Sequence, residues 1–453
     1  MSSAERAGAV VFLILALAFA WGTKTGANSW AELSRLAAID TLLERGTFRI
    51  DGSPFAAVTM DKVLIDGHYY CDKPPLLQLL ATPIYAGLRA ALAAPLTQEA
   101  CPGAGRCAYK WLTFVSVGLP SAAAIGCLVS FALRRGYTRG RVLIVAGLSV
   151  FGTMIWPYSL VFNNHVPAAA AMLGCFLLAL PAPDAEAGAA RSVASGLLGG
   201  LAVGLDLMTV FPVAALGLLH WRRPRQLTVF ALGAALPIAA TAFADFLIWG
   251  SPLPPYFAPH GYAYPGSPFA DSVGGLRPAD DKWRYAVQGL VGARGLFAYS
   301  PVLLLALAGL LRVLRDRRRA TFGPALAAAA GMLVFAVYIF SRTSVHGGRA
   351  YGERYFISIV LLLASFGLFA LPDARPQRWL PALLVTVPLS VVSAAQGVSR
   401  TWERTPPVLF LRTQPRLAIC SSLADPEHVQ TRFGEQDSMA PCWPSGEPAE
   451  QRR

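Results

Sequence analysis

Apolar residues in this chain come in long unbroken blocks. Residues 7–23, 111–133, 142–159, 165–181, 192–205, 208–220, 227–249, 293–314, 322–341, 355–371 and 380–398 are almost wholly apolar. Most of these blocks have the ~17–25 residues that a helix needs to cross a bilayer. They lack the period-two alternation of a membrane β-barrel. The pattern therefore predicts an all-α polytopic membrane protein with about eleven transmembrane helices. Blocks 192–205 and 208–220 are each short for a crossing. Asp206, between them, predicts two half-helices separated by a break.

Composition agrees with this reading. Of 453 residues, 55% are hydrophobic and 14% charged, against about 25% charged in soluble domains. The formal charge of +13 would point to nucleic acid only in a soluble protein. Here the basic clusters Arg134–Arg141, Arg222–Arg225, Arg315–Arg319 and Arg375–Arg378 sit between apolar blocks. They read as cytoplasmic anchors under the positive-inside rule. That rule places the N-terminus inside, the C-terminus outside, and residues 24–110 in the first outer loop. It also requires residues 76–96 to lie along the outer surface as a juxtamembrane helix. Pro74, Pro75, Pro83 and Arg89 disfavour a crossing there. Ala18-Phe19-Ala20 resembles a signal-peptidase site, but the first block is expected to remain as a span. Residues 1–400 thus form one membrane domain and 401–453 a polar outer tail. Cys101–Cys107 and Cys420–Cys442 fall outside, where disulfides can form.

The candidate chemistry lies in the outer segments. Ser29-Trp30-Ala31-Glu32 has capping-box spacing and predicts a helix ending at Gly46. Leu36, Ile39 and Leu43 give it an apolar stripe, headed by Glu32. Asp66-Gly67 is a turn dipeptide. Asp61 and Asp72 flank it as candidate bases, with His68, Tyr70 and Lys73 among them as candidate binders. Asp40 and Glu44 read as a solvated face. Further on, Asn163-Asn164-His165 opens a span, where polar groups anchor a helix or line a cavity. The run His346-Gly347-Gly348-Arg349-Ala350-Tyr351-Gly352-Glu353-Arg354 joins flexible glycines to two arginines. Arginine forks suit phosphate or carboxylate, so Arg349, Tyr351 and Arg354 are candidate substrate binders. No Walker A motif, dinucleotide fingerprint or Cys/His metal spacing is present.

Asp72-Lys73-Pro74-Pro75-Leu76 resembles the Lys-Pro-Pro-Leu of aminoarabinose transferases and the His-Pro-Pro-Leu of protein O-mannosyltransferases. Both are polytopic GT-C glycosyltransferases. Ser34-Arg35, Gly46–Asp51, Asp66–Tyr70, Gly295–Pro301 and Gly347–Tyr355 are similar, in order, to motifs of the bacterial glycosyltransferase family 39-like proteins. The resemblance covers residues 8–400. It implies a GT-C bundle in the plasma membrane and a polyprenyl-phosphate-linked sugar donor. It also implies an envelope acceptor (lipid, glycan or protein) and an acid of the first outer loop as base. Many such proteins carry an Asp-Glu pair just after the first span; here Asn28, Ala31 and Glu32 stand there. Glu32, Asp61 and Asp72 therefore compete for that role. Inverting transfer at the extracytoplasmic face follows, with Lys73, Arg349 and Arg354 on the phosphate. No cofactor is required, and a divalent metal has room near the acids. A flippase of lipid-linked sugars, which needs no base, and a lipid-linked glycan polymerase or ligase are the competing readings.

Overall fold

In the computed structural model, residues 1–96, 104–181, 188–270, 281–343, 347–370, 379–403, 405 and 407–408 are described. The Cys101–Cys107 and Cys420–Cys442 pairings, His346, the Arg375–Arg378 cluster and nearly all of the tail fall outside these residues. Cys107 itself is disulfide-bonded.

The apolar blocks are helices. They are α1 (Ser3–Gly22), α4 (Ala108–Arg134), α5 (Arg139–Phe151), α6 (His165–Ala179), α7 (Ala189–Leu205), α8 (Leu207–His220), α9 (Pro224–Trp249), α11 (Leu303–Leu314), α12 (Phe322–Arg342), α13 (Arg354–Ala370) and α14 (Leu380–Ser399). The polar segments add α2 (Trp30–Arg45), α3 (Leu76–Leu92) and α10 (Lys282–Leu290). Among the described residues, five helices (α1, α4, α9, α12 and α14) are individually long and apolar enough to cross a membrane. The remaining apolar helices are shorter. The protein is an all-α polytopic membrane protein.

Two blocks expected to be continuous divide at prolines. Block 142–159 stops at Phe151, and a separate turn follows at Ile155–Tyr158. Block 293–314 becomes a turn at Leu296–Tyr299 and then α11. Pro157 and Pro301 lack an amide proton for a continuous ladder. Within α4, residues Phe114–Gly118 form a π turn just before Pro120, where the proline ring displaces the regular hydrogen bond. Asp206 is both the C-cap of α7 and the N-cap of the turn that opens α8, so the helix breaks at the acid.

The first loop folds as a platform. Ser29 Oγ accepts from Glu32 N at 3.2 Å to start α2, and Gly46 ends it in the left-handed conformation at φ 63°. α2 is more enclosed than a surface helix, since Ala31–Ile39 are all buried. A hairpin follows, Lys62–Ile65 (β1) paired antiparallel with His68–Cys71 (β2). Asp66 (φ 49°) and Gly67 (φ 79°) make its turn, the positive-φ pair favoured in two-residue hairpins. α3 is buried all round at its start, at Leu76, Leu77 and Gln78, and then along one side at Ala81 and Tyr85. At 17 residues it is about 25 Å long, short of the ~30 Å apolar thickness of a bilayer. It packs on α2 and α4.

The ends of the bundle can be assigned relative to each other. Arg134, at the end of α4, pairs with Glu5, at the start of α1, at 3.3 Å. At the other end, Lys110 Nζ donates to Trp21 O at 3.2 Å and Lys24 N to Leu160 O at 3.0 Å. The first loop therefore sits opposite the basic Arg134–Arg141 segment.

α7 and α9 cross with almost no space between them. A Cβ on Gly200 would lie 2.1 Å from Ala234 O, and one on Gly196 2.0 Å from Phe230 O. Small residues let membrane helices approach this closely. Gly200→Leu is expected to force the helices apart, costing at least ~1–3 kcal/mol from overpacking. A lower yield of monodisperse detergent-solubilised protein and a lower unfolding temperature would register it. An unchanged unfolding temperature would refute it.

Candidate active site

The hairpin and the start of α3 bring three of the expected residues together. Lys73 Nζ lies 2.7 Å from Asp72 Oδ2 and 3.1 Å from Asp61 Oδ2. Asp72 is buried, and its Oδ1 has no hydrogen-bond partner among the described residues. Pro74 and Pro75 fix the chain just after Lys73, so the ammonium is held at the head of α3. Tyr262, on the loop after α9, donates to Asp72 Oδ2 at 3.0 Å. That loop is tied to the platform: Leu64 N donates to Gly261 O at 2.7 Å and Tyr264 Oη to Met60 O at 2.8 Å. Burial pushes the Asp72 carboxyl above its usual range, against the pull of Lys73. Burial also penalises the Lys73 charge, but Asp61 and Asp72 outweigh it and hold the ammonium proton more firmly.

Two guanidinium groups face this cluster. Arg35, buried in α2, donates to Ala31 O at 2.7 Å and to Asn164 Oδ1. It lies within electrostatic reach of Asp61, Asp72 and Arg354. Arg354 stands over the Trp402 ring at 5.5 Å, and its Nε is buried without a partner among the described residues. Tyr355, beside it, is within reach of Lys73 and Asp61. The first loop and the Gly-Arg loop therefore meet on one side of the bundle. Lys73 lies within electrostatic reach of Arg35 there, and Arg35 within reach of Arg354, a row of cations suited to an anion.

The Gly-Arg loop is held from behind. Buried Arg294 donates to Ala350 O at 2.5 Å and to Gly348 O at 3.2 Å. Gly347 has φ 80°, and a Cβ there would meet Arg354 Cβ at 2.7 Å. The turn thus needs glycine on two counts. The first residues after α14 complete the wall. Thr401 O accepts from Tyr351 N at 2.9 Å, Thr405 O from Tyr299 Oη at 2.5 Å, and Trp402 is buried.

A second polar group lies alongside. His165 Nδ1 is 2.8 Å from Asp206 Oδ2, and Ser358 Oγ donates to the same oxygen. His165 is within electrostatic reach of Arg354 and Arg35. Tyr256 is within reach of Asp206 and Tyr355. His165 thus lies on the same side of the bundle as Arg354.

The other expected residues are placed elsewhere. Glu32 is fully buried and accepts from Asn28 N at 2.8 Å, Phe162 N at 3.0 Å, Ser29 Oγ at 3.2 Å and the Tyr109 hydroxyl. Burial pushes its carboxyl above the usual range despite these donors. Tyr351 is buried with its hydroxyl on Ser393 and its ring edge-on to Tyr299 at 4.4 Å. Tyr70 packs with Val63, Ile248 and Tyr262 behind the cluster. His68 is at the far end of the hairpin, half-exposed, 3.5 Å from Asp51. Arg349 is partly exposed on the Gly-Arg loop. Arg35, Arg294, Tyr262, Asp206 and Ser358 lie in or against these clusters and are not among the expected site residues. The signal for Asp206 was its place inside an apolar block, since a charge there needs partners. Among the described residues no three His, Cys, Asp or Glu side chains gather as a metal site.

No protein-family model matches the sequence, and neither does any curated protein. Solved structures do match. Over 91% of this chain, the fold superposes on ArnT from Cupriavidus metallidurans in the apo state, with TM-score 0.53 and 16% identity. The same protein bound to undecaprenyl phosphate gives TM-score 0.50 and 18% identity, again over 91% of this chain. This chain spans 66% and 67% of those two structures. A weaker likeness, TM-score 0.45 at 17% identity, joins 87% of this chain to 53% of an Archaeoglobus fulgidus oligosaccharyltransferase crystallised with zinc and sulfate. The likeness is one of fold: this chain shares the fold of ArnT.

Proposed function

We propose that this chain, built on the fold of the GT-C membrane glycosyltransferases, transfers a sugar from a polyprenyl-phosphate-linked donor to an envelope acceptor. The reaction takes place at the extracytoplasmic face of the plasma membrane. The observation that carries this reading is a row of cations on one side of the bundle: Lys73, fixed by Asp61 and Asp72 at the head of α3, lies within electrostatic reach of Arg35, and Arg35 within reach of Arg354. ArnT, whose fold this chain shares, was crystallised with undecaprenyl phosphate.

In this reading the lipid tail lies along the apolar flank of the bundle and the phosphate approaches Lys73, Arg35 and Arg354. The cations sit where charge grows on the phosphate as the sugar departs, and such placed charges lower the barrier. Asp61 and Asp72 hold Lys73 in place, and the sugar occupies the space toward His165 and Tyr256. Arg349, at the rim, meets the phosphate or the headgroup layer. A direct displacement inverts the anomeric centre. Nothing in the step calls for a metal.

Mass spectrometry of envelope lipids, glycans and proteins, from cells with and without the protein, tests the reading. One added sugar on a defined acceptor supports it. A ladder of repeats points to a polymerase, and translocated donor without transfer points to a flippase. At the level of the site, Arg354→Ala is expected to weaken undecaprenyl phosphate binding by roughly 10-fold, the loss of one charged hydrogen bond. Titration of purified protein in detergent reads it. Unchanged binding would remove Arg354 from the phosphate site.

A further inference from the structure

Any acceptor hydroxyl or amine must lose a proton during transfer, and the group that takes it has to be free to do so. Asp61 and Asp72 are ion-paired to the same ammonium at 3.1 and 2.7 Å. Protonating either one would break a pair that is largely buried. Glu32 is surrounded by four donors. His165 is different. Its Nδ1 faces Asp206 Oδ2 at 2.8 Å, and the same oxygen accepts from Ser358 Oγ. The other carboxylate oxygen accepts from Met208 N at 3.4 Å. The carboxylate is thus an acceptor on every side, which puts the ring proton on Nδ1 and leaves the lone pair on Nε2. Among the described residues no hydrogen bond reaches Nε2, and the side chain keeps 10% of its surface exposed.

From this geometry, and resting on the sugar-transfer reading above, we infer that His165 is the general base and that Asp206 is its positioning residue, seconded by Ser358. Three elements supply the unit: the start of α6, the break between α7 and α8, and the start of α13. The charged groups facing the imidazole are Asp206 from the break, Arg354 from the start of α13 and Arg35 from α2. In the step, His165 Nε2 takes the acceptor proton as the acceptor oxygen or nitrogen bonds to the anomeric carbon. The bond from that carbon to the phosphate oxygen breaks, and its electron pair leaves on the lipid phosphate beside Lys73 and Arg354. Asp206 stabilises the imidazolium, which then releases its proton to water. A carboxylate behind an imidazole serves this purpose in unrelated hydrolases.

The test uses the full chain in membranes, with product measured by mass spectrometry and undecaprenyl phosphate as the binding probe. His165→Ala is expected to lower product formation by about 100-fold or more, the usual contribution of a general base, while undecaprenyl phosphate still binds. Added imidazole should restore part of the rate to His165→Ala. Asp206→Asn should lower the rate less and move the acid limb of the pH profile, where protonating His165 silences it. A role limited to packing would show neither rescue nor a moved limb. Should His165→Ala fail to fold, as shown by lost probe binding, His165→Gln is read in its place. Near wild-type product from either folded variant overturns the inference and leaves the sugar-transfer reading standing. So does a full loss confined to Asp61→Asn. If wild-type membranes make no glycosylated product, the sugar-transfer reading fails first and takes this inference with it.

Discussion

Lys73→Met is expected to weaken undecaprenyl phosphate binding by at least ~10-fold, from a charged contact worth about 1.5–3 kcal/mol. It should also destabilise the fold. The two effects have separate causes. Binding suffers because the ammonium at the head of α3 is the most fixed of the three cations, gripped by Asp61 and Asp72. Stability suffers because its removal leaves two acids facing each other, with Asp72 almost wholly buried. Removing one partner of a buried pair costs about 3–5 kcal/mol. The partial exposure of the Lys73 and Asp61 side chains, 19% and 14%, puts the expected loss toward the lower end. The triple variant Asp61→Asn, Asp72→Asn, Lys73→Met separates the effects. It should regain most of the stability and none of the binding. Thermal unfolding in detergent and titration with undecaprenyl phosphate read the two quantities. Wild-type binding by Lys73→Met would remove Lys73 from the phosphate site.

The second large effect is expected at Glu32, through structure more than chemistry. One carboxylate ties the segment before α2, through Asn28 and Ser29, to the loop before α6, through Phe162, and to α4, through Tyr109. Glu32→Ala strips the acceptor from two backbone amides and two hydroxyls in a buried place. Each buried donor left unsatisfied costs about 1–3 kcal/mol, so the sum should exceed ~3 kcal/mol. Glu32→Gln keeps one oxygen but turns an amide group toward donors, and should fall between. The pH dependence has a definite sign. Burial raises the folded carboxyl above its ordinary value of 4.5, so folding favours the protonated form. The contribution of this group is full below about 4.5 and is lost as pH rises through the raised folded value. Glu32→Gln removes that slope. An unfolding temperature unmoved in Glu32→Ala, or a loss of turnover with stability intact in Glu32→Gln, would return Glu32 to the catalytic role the sequence allows.

The features legible in the sequence were local ones. Apolar blocks announced the membrane helices because lipid leaves a backbone no other regular way to satisfy its polar groups. Ser29 and Gly46 marked both ends of α2, and Asp66-Gly67 marked the hairpin turn, because caps and turns are decided within a few residues. Asp206 announced a break, but not its partners.

The sequence by itself determined that this chain is a helical membrane protein with one polar first loop, a lysine ahead of two prolines, and a Gly-Arg loop late in the chain. Only the tertiary structure decided which charges meet. Tyr262 reaches Asp72 across 190 positions, Ser358 reaches Asp206 across 152, and Asn164 accepts from Arg35 across 129. It also turned Tyr351 toward Ser393 and enclosed Glu32 between Tyr109 and Phe162. The physical reason is range. Periodicity and caps act within a helical turn or two, whereas a buried charge is satisfied by whatever the packed helices carry to it.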